Sequence, residues 1–275
     1  RDRVRVYWSH CGTWRISRPE IYPPTVANLD DVRALGAEVA ERGFTALKTN
    51  IFRETPNGMV GWSPGFGGPN EPERTPNYNI INGLQDYLHA FREGSGPEMD
   101  ILLDLNFNAR TEGYLTLLRA LRDHELFWIE IDTPHASALA TIRQQSPFTI
   151  SGCESLTGLV EFLPYFQQEA LDIAIIDAVW IGIWQSLKIA AAADAYQVNI
   201  APHNYYGHLA TLMNVHFCAA VPNLKIMETD IDRFVGDAEI FTHAPSIEEG
   251  HVKVPDRPGW GTEPNEAVLE EYPPL

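Results

Sequence analysis

The segment Ile101-Leu-Leu-Asp-Leu-Asn-Phe107 decides the fold, because it is an apolar run that ends on a carboxylate, Asp104. Further ionisable residues follow apolar runs in the same way, at steps of 26, 24, 23 and 26 residues. A βα unit of a parallel barrel has about this length, and the carboxyl ends of its strands meet at one face. The sequence therefore predicts that one face of a barrel collects Asp104 and its four successors, Glu130, Glu154, Asp177 and His203.

The rest of the chain fits the same architecture, an α/β fold of the TIM-type (β/α) barrel kind. Most of the expected strands are near-continuously apolar, which is typical of a parallel sheet covered on both faces. We predict eight strands, over residues 4–9, 44–47, 101–103, 126–131, 148–150, 173–176, 198–201 and 224–227. The barrel domain would span residues 1–235, and an irregular C-terminal tail over residues 236–275 would pack on the barrel exterior or on a capping domain.

Helices are expected between these strands. The first would be capped by Asp30-Asp31 and ended by Gly43, because a carboxylate suits a helix start and glycine suits a helix end. The others are predicted over residues 80–91, 113–121, 136–143, 156–167, 183–195 and 208–220. Residues 53–77 are rich in Gly, Pro and polar residues, and are too long for an ordinary connection. They would be either a lid over the barrel mouth or a disordered insertion.

Composition excludes several classes of partner. The chain has 275 residues and a formal net charge of −17, which argues against nucleic acid or an anionic membrane surface. No apolar run reaches about 18 residues, so no membrane span is expected. The three cysteines are widely spaced and form neither a disulfide framework nor a zinc motif. A reducing, cytoplasmic location is therefore expected.

Three acids from adjacent strands suggest a metal site. Asp104, Glu130 and Glu154 would repel each other strongly in one place unless a cation lay between them. Oxygen ligands with room for water or substrate favour Mg²⁺. Each acid could instead cap the following helix or pair with a Lys or Arg, and capping would be the better interpretation of any one acid alone. Three acids in register on successive strands favour the metal.

His203 and Asp177 follow neighbouring strands and suggest a general base. A carboxylate beside an imidazole fixes its tautomer and raises its basicity. The alternative is a buried histidine that merely has its hydrogen bonds satisfied. With a metal nearby, the pair suits removal of the proton α to a substrate carboxylate, which gives an ene-diolate. His203 could then protonate a departing β-hydroxyl.

Five further residues would surround this pair. Lys48 would either stabilise developing negative charge or merely balance the acids. Glu228 could donate a hydrogen bond if protonated, since nearby acids raise its pKa, or could form a cap or an ion pair. His10, Asn106 and Tyr205 would line the mouth as substrate-binding groups, although Tyr205 could equally pack at a helix start.

Taken together, these residues resemble the barrel domain of the enolase superfamily, mandelate racemase-like subgroup. The resemblance implies Mg²⁺ on the three acids, a catalytic His203–Asp177 dyad, Glu228 near a small-molecule carboxylate substrate, and a homo-oligomer. It also implies dehydration of sugar acids as the most frequent activity. The matching motifs, in the family's order, are Asp104-Leu-Asn106, Trp128-Ile-Glu130, Cys153-Glu154, Asp177, Ala201-Pro-His203 and Glu228.

The sequence departs from the family pattern in three places. Lys48-Thr49-Asn50 stands where the family often has Lys-x-Lys, and Asn50 cannot abstract a proton; it is expected to bind substrate instead. Glu130-Ile131-Asp132-Thr133-Pro134 replaces the usual Glu-Glu-Pro, so the second acid is displaced by one residue. The family's N-terminal capping domain is expected to be missing from this chain, which starts at the first strand.

These departures rank the possible functions. A magnesium-dependent dehydratase of an aldonate or aldarate, giving a 2-keto-3-deoxy acid, needs only one base and is the first hypothesis. An epimerase, racemase or cycloisomerase would use the same ene-diolate chemistry, but two-base racemisation is disfavoured at Asn50. A barrel that binds an acidic ligand without catalysis is the third hypothesis.

Overall fold

The structure, a computed structural model, describes residues 1–67, 73–232 and 237–271. Eight parallel strands form a closed ring, in the order of the chain. Numbered with the other strands in chain order, they are β1 (Arg3–Ser9), β2 (Ala46–Thr49), β5 (Asp100–Asp104), β6 (Trp128–Glu130), β7 (Ile150–Gly152), β8 (Ile173–Ile176), β9 (Asn199–Pro202) and β10 (Met227–Asp230). The predicted α/β barrel is therefore confirmed.

The ring closes through both neighbours of the last strand. β10 pairs in parallel with β1, with Val6 opposite Met227. On its other side, just before β10, Ile200 of β9 accepts a hydrogen bond from Lys225 N and donates one to Asn223 O, each at 2.9 Å. These bonds leave no free edge between the first and last strands of the ring.

Ten helices lie among and around the strands in the described parts of the chain. The barrel helices start close to the predicted positions, and the largest difference at an N-terminal end is five residues. They are α1 (Thr13–Ser17), α2 (Leu29–Glu41), α3 (Tyr78–Ser95), α4 (Thr111–Ala120), α5 (Ala136–Gln145), α6 (Leu159–Gln167), α7 (Ala178–Ala195), α8 (His208–Ala220), α9 (Asp237–Ile240) and α10 (Glu266–Glu271). None of the helices in the described residues is both long enough and apolar enough to cross a membrane.

The strands separate two apolar cores. Alternate strand residues point into the barrel, where Tyr7 and Trp128 make an edge-to-face contact with ring centroids 5.7 Å apart. The other strand residues pack outward against the helices in the larger core. Burial on both faces explains why the strand segments are near-continuously apolar. The inner core lies beneath the polar strand ends, so a layer of packed apolar side chains fills the barrel below the polar face.

Several predicted boundaries are wrong by a few residues. Asn28, rather than Asp30-Asp31, caps α2: its Oδ1 accepts from Asp31 N at 2.9 Å, and Asp31 accepts from Ala27 N at 2.8 Å. This reciprocal pair satisfies two backbone donors, as in a capping box. β2, β7 and β10 both begin and end two or three residues later than predicted. They end later because the polar residues that follow the apolar runs still pair with neighbouring strands.

The described part of the 53–77 segment is ordered as a hairpin over the barrel mouth. β3 (Phe52–Thr55) and β4 (Gly58–Gly61) pair antiparallel around a Pro56-Asn57 turn, and a 3₁₀ turn follows at Pro64–Phe66. Proline at the second position of such a turn and glycine at the fourth, here Gly58, are both typical of a tight turn. Residues 68–72 of the predicted lid lie outside the described residues. Up to residue 67, the segment has the form of a lid.

The C-terminal tail is more regular than predicted. β11 (Ile247–Glu248) and β12 (His251–Lys253) form a hairpin, and β12 pairs antiparallel with the first residues of β1. Those first residues extend beyond the partners β2 and β10, so β12 satisfies backbone groups that would otherwise be unpaired. The predicted boundary between barrel and tail, at residues 235 and 236, lies outside the described residues.

Candidate active site

The polar residues singled out in the sequence meet at the carboxyl ends of the barrel strands. Asp104 and Glu130 are the last residues of β5 and β6 and are direct partners in the register of these strands. Glu154 follows β7 by two residues, and Asp177 and His203 directly follow β8 and β9. The parallel order of the strands therefore brings all five residues to one face, as the 23–26-residue spacing predicted.

Three carboxylates form the closest cluster. Oxygens of Asp104, Glu130 and Asp132 all lie within 4.8 Å of one another, and all three side chains are buried. Burial, followed by repulsion from neighbouring acids, raises the pKa of Glu130 and of Asp132 to about 8. Sequence reasoning placed Asp132 outside the metal set. The sequence signal was present, since Asp132 stands one residue from the position of the family's second acid.

Glu154 lies at the edge of this cluster, on its cavity side. Its Oε2 is 3.6 Å from Nε2 of His203, and its side chain keeps 18% exposure. Burial, followed by the charge of Asp132, raises the pKa of Glu154 to about 8. Asp132 is instead tied to the backbone, because its Oδ1 accepts from Cys153 N at 3.1 Å. Glu154 therefore faces the cavity, whereas Asp132 lies behind the strand ends.

Lys48 sits at the centre of the acids. Its Nζ lies 3.0 Å from Glu130 Oε2, 3.1 Å from Glu228 Oε1 and 3.7 Å from Asp104 Oδ2. Burial disfavours the charged ammonium group, but the surrounding carboxylates outweigh burial and raise the pKa of Lys48. Lys48 is thus a buried cation that balances part of the negative charge.

Glu228 is ionised rather than protonated, which corrects the expectation from the sequence. Burial favours the neutral acid, but Lys48 and His203 outweigh burial and hold the pKa of Glu228 well below its usual range. Its oxygens also accept hydrogen bonds from Ser9 Oγ and from Asn204 N, the latter at 2.7 Å. The sequence could not show that Lys48 of β2 reaches this carboxylate. Glu228 therefore accepts hydrogen bonds and does not donate them.

His203 is held by a carboxylate on the side away from the cavity. Its Nδ1 lies 2.7 Å from Asp177 Oδ2, and its Nε2 points towards Glu154 and Glu228. Burial disfavours the imidazolium, but the hydrogen bond to Asp177 and the two nearby acids outweigh it and raise the pKa of His203 to about 9. The imidazole is therefore strongly basic and fixed in orientation.

Asp177 is itself fixed by three further donors. Its Oδ1 accepts from the N–H groups of Val179 and Trp180, each at 2.9 Å, as the N-cap of α7. Its Oδ2 accepts from the hydroxyl of Tyr206 as well as from His203. Sequence reasoning allowed Tyr206 to line the mouth but did not place it beside Asp177. The fixed geometry of the His203–Asp177 pair thus depends on the start of α7 and on Tyr206, from the loop after β9.

Asn50 and Asn106 form a hydrogen-bonded chain to the first metal-ligand candidate. Asn50 Nδ2 donates to Asn106 Oδ1 at 3.1 Å, and Asn50 Oδ1 accepts from Thr13 at 2.9 Å. Asn106 in turn donates to both oxygens of Asp104, from its backbone N and its Nδ2, each at 2.8 Å. Both amides line the mouth, as predicted, and Asn106 fixes the orientation of Asp104.

His10 and Tyr205 line the mouth next to β10. The ring of Tyr205 lies near two imidazoles, with centroid distances of 4.6 Å to His10 and 6.2 Å to His203. It also stacks on Trp14, at 5.7 Å. Trp14 was not assigned to the site from the sequence. These rings make the wall of the mouth between β9 and β1 aromatic.

A cavity of about 770 Å³ opens above the strand ends. Polar residues of the strand ends border it on one side and aromatic rings such as Tyr205 on another. The hairpin of β3 and β4 contributes Met59 and Val60. Asp104 and Glu154 reach this cavity, but Glu130 and Asp132 do not border it. A ligand bound in the cavity would therefore meet Asp104, Glu154, Lys48, Asn50, His203 and Tyr205.

The buried acids fit a hard divalent cation. Glu130 Oε1 and Asp132 Oδ2 are buried and have no hydrogen-bond partner in the described parts of the chain. A buried carboxylate oxygen without a partner is costly, and a bound cation removes that cost. The donors are all oxygens, which suits Mg²⁺ better than a softer metal. The residues present are therefore compatible with a magnesium site.

Comparisons with known proteins agree with this geometry. The enolase C-terminal domain-like family model matches residues 31–268. Among solved structures, one named as an L-alanine-DL-glutamate epimerase of Burkholderia xenovorans strain LB400, bound to magnesium and fumarate, is 52% identical, with a TM-score of 0.97. That match covers all of this chain and 69% of the other.

Curated relatives are more distant and are named as sugar-acid enzymes. A D-galactonate dehydratase family member of Streptomyces bingchenggensis is 28% identical over 285 residues, covering 99% of this chain and 66% of that protein. Arabinonate dehydratase of Saccharolobus solfataricus is 30% identical over 188 residues, covering 67% and 50%. The chain spans about half to two thirds of the length of these relatives. Because the family match covers well over half of its residues, the chain belongs to the enolase C-terminal domain-like family and thus to the enolase superfamily.

Proposed function

We propose that this chain carries the metal site and the proton-transfer residues of a magnesium-dependent dehydratase of a sugar acid, either an aldonate or an aldarate. The reaction removes the proton α to the carboxylate and eliminates the β-hydroxyl, and the product is a 2-keto-3-deoxy acid. The observation that carries the proposal is the one-sided placement of the base. His203, held by Asp177, faces the carboxylate cluster, while the corresponding position after β2 is an amide, Asn50.

The proposed magnesium ligands are Asp104, Glu130 and Glu154. Asp104 and Glu154 border the cavity, and Glu130 has an oxygen without a partner in the described residues. Asp132 is tied to Cys153 N and supports the ligands from behind. When bound, magnesium would offset the negative charge that develops on the substrate carboxylate as the α-proton leaves.

His203 is proposed to take the α-proton on Nε2. Asp177 accepts a hydrogen bond from the N–H of Nδ1, so a neutral His203 carries its lone pair on Nε2, the nitrogen nearest the cavity. Tyr206 and the start of α7 keep Asp177 in place and thereby keep the imidazole in one orientation. A base that is positioned in advance loses little entropy in the transition state.

Lys48 and Glu228 are proposed to set the charge of the site. The ammonium of Lys48 contacts three carboxylates and so keeps the total negative charge low enough for an anionic substrate to approach. Ionised Glu228 holds Lys48 and accepts from Asn204 N.

An epimerase is the second candidate, because the 52% identical structure is named as one. Epimerisation by two bases needs a proton-transferring group on each face of the α-carbon. Asn50 cannot transfer a proton, and Lys48 is engaged by three buried carboxylates. Elimination needs a base on one face only, so the residues present support the dehydratase more strongly.

We also propose a substrate class, a location and an oligomeric state for the enzyme. The substrate is a small-molecule carboxylate, and the acidic charge of −17 disfavours nucleic acid and anionic membranes. The three cysteines are free and buried, which supports the cytoplasm as its location. A homo-oligomer is proposed from the resemblance alone, and light scattering of the purified protein tests it.

The test is a screen of aldonic and aldaric acids with the full natural chain and Mg²⁺, with 2-keto acid products detected by NMR. We expect one or a few acids to be dehydrated, and His203→Asn to abolish the reaction. His89→Asn is the matched control, because His89 is an exposed histidine on α3. Proton exchange in D₂O without any elimination would reject the dehydratase in favour of the epimerase. Magnesium binding with neither exchange nor elimination would support a non-catalytic barrel.

A further inference from the structure

A second histidine–carboxylate pair lies at the mouth, separate from His203 and Asp177. His10 directly follows β1, and its Nδ1 lies 3.2 Å from Asp230 Oδ2. The Asp230 side chain is fully buried, whereas 17% of the His10 side chain remains exposed. Asp230 also accepts from Trp14 Nε1 at 2.9 Å. The carboxylate is therefore fixed, and it holds the imidazole from the side away from the cavity.

The surrounding hydrogen bonds decide which nitrogen of His10 faces the cavity. Ser9 Oγ lies 3.1 Å from His10 Nδ1, but the hydroxyl proton of Ser9 is donated to Glu228. Nδ1 must then be the donor towards Ser9 and Asp230, so it carries a proton in every state of the ring. Nε2 has no hydrogen-bond partner in the parts of the chain that the structure describes, and His10 borders the cavity. A second proton on His10 would therefore be held on Nε2, where a substrate can take it.

The backbone of His10 supports a functional role. Its φ angle is 47°, in the left-handed region that non-glycine residues rarely adopt. Such strain is kept where the surroundings impose it, and it is common at active sites. Asn106, the residue that orients Asp104, has a φ of 46° and is the second residue after β5. In each case the left-handed turn follows the strand end, where the side chain reaches the mouth.

We propose that His10, positioned by Asp230, is the general acid that protonates the departing β-hydroxyl. The proposal rests on the proposed dehydratase function. It differs from the expectation that His203 performs both proton transfers. Different carboxylates hold the two imidazoles, Asp230 that of His10 and Asp177 that of His203. The site thus has two separately oriented groups, one to receive the α-proton and one to release a proton.

The proposed step is the elimination of the C3 hydroxyl as water. The C2–H bond breaks and its proton goes to His203 Nε2, while its electron pair forms the C2–C3 double bond. The C3–O bond breaks, its electron pair leaves with the oxygen, and the Nε2 proton of His10 completes a molecule of water. The enol that remains becomes the 2-keto acid when C3 takes a proton and the C2 hydroxyl loses one. His203 then releases its proton and His10 recovers one, both by exchange with solvent at the mouth.

A leaving group that needs no proton separates this role from a structural one. The substrates are the acid that the screen identifies and its 3-deoxy-3-fluoro analogue, from which fluoride leaves as an anion. The variant is His10→Asn, because asparagine tolerates a left-handed backbone. We expect the kcat for hydroxyl elimination to fall by about 10²–10⁴-fold, and the kcat for fluoride elimination by less than about tenfold. His203→Asn should lose both reactions.

A second variant covers the possibility that His10→Asn fails to fold. Asp230→Asn keeps His10 but removes the charge behind it, and should show the same selective loss of hydroxyl elimination to a smaller degree. Equal losses for the hydroxyl and fluoro substrates in both variants would overturn the proposal, because they indicate a structural or binding role. If the unchanged protein eliminates neither group from any acid, the proposed function itself fails. That outcome is seen before any variant is made.

Discussion

Nδ1 of His203 lies 2.7 Å from Oδ2 of Asp177, and the same Asp177 side chain caps the helix that follows β8. The carboxylate of Asp177 therefore links the start of α7 to His203, the proposed base. The backbone N–H groups of Val179 and Trp180 fix one oxygen, which leaves the other oxygen for His203 and Tyr206. The orientation of the imidazole is thus a consequence of how α7 begins.

The first prediction concerns Asp177→Asn. Asparagine is a good N-cap, so α7 should keep its start. The charge that favours the imidazolium is lost, so the pKa of His203 should fall from about 9 towards its ordinary value near 6.5. The kcat should fall by roughly 10²–10⁴-fold, because the tautomer is no longer fixed. The pKa is measured by NMR titration of the imidazole in metal-free protein.

The control for this variant is Asp194→Asn, at the exposed C-terminal end of the same helix. It should change neither the pKa of His203 nor the rate. An unchanged His203 pKa in Asp177→Asn would show that the neighbouring acids, rather than this hydrogen bond, set the basicity.

The second prediction is that Lys48→Met destabilises the protein. The buried acids that Lys48 contacts lose their shared cation, which affects ionised Glu228 most, and the free energy of unfolding should fall by about 3–5 kcal/mol at neutral pH. Denaturation by urea measures this change. Because protonated acids need no cation, the loss should shrink as the pH is lowered. Lys188→Met, which removes an exposed lysine, is the control and should be nearly neutral. A loss that does not depend on pH would mean that packing, not charge, is responsible.

The sequence was sufficient to predict the barrel because the relevant signal is local. Each strand must be apolar on both faces, and each polar strand end must reach the mouth, so both features recur with the period of the βα unit. The position of Asp104 within such a run therefore fixed its place in the structure. The same reasoning placed His203 beside Asp177, since their strands are neighbours in the ring.

The errors come from interactions that no local pattern records. The ionised state of Glu228 depends on Lys48, which lies 180 positions earlier in the chain and reaches it only in the closed ring. The strand β12 has only three residues, too few for an alternating pattern to stand out, and it forms because β1 offers an unpaired edge. α7 starts five residues earlier than predicted because Asp177 caps it, and Gly182, with a φ of 76°, interrupts its pattern.

The third prediction separates the two acids that compete for the third ligand position. Glu154→Gln should weaken Mg²⁺ binding by more than about 100-fold if Glu154 is a ligand. Asp132→Asn should weaken it by about 10–100-fold, as expected for a group that supports the ligands from behind. Calorimetric titration measures both affinities. Glu98→Gln is the control, since Glu98 is an exposed acid near the opposite end of the barrel. The reverse order of effects would assign Asp132, with Asp104 and Glu130, as the ligand set.

The fourth prediction concerns pH. Glu130, Asp132 and Glu154 have pKa values of about 8 in the metal-free fold, against about 4 to 4.5 for ordinary carboxyl groups. At a pH between about 4.5 and about 8, the folded protein therefore binds more protons than the unfolded chain. The contribution of these groups to stability is therefore present at low pH and is lost as the pH rises through about 8.

Magnesium should reverse this trend, because it binds the ionised carboxylates. Its affinity should rise as the pH increases towards about 8, and binding below that pH should release protons. Thermal melts with Mg²⁺ and with a chelator, at about pH 6 and about pH 8, give the increase in Tm that the ion produces. That increase should be larger at the higher pH. Calorimetry in two buffers with different ionisation enthalpies counts the protons released. An equal increase in Tm at both values, with no proton release, would mean that the three acids are already ionised in the metal-free protein.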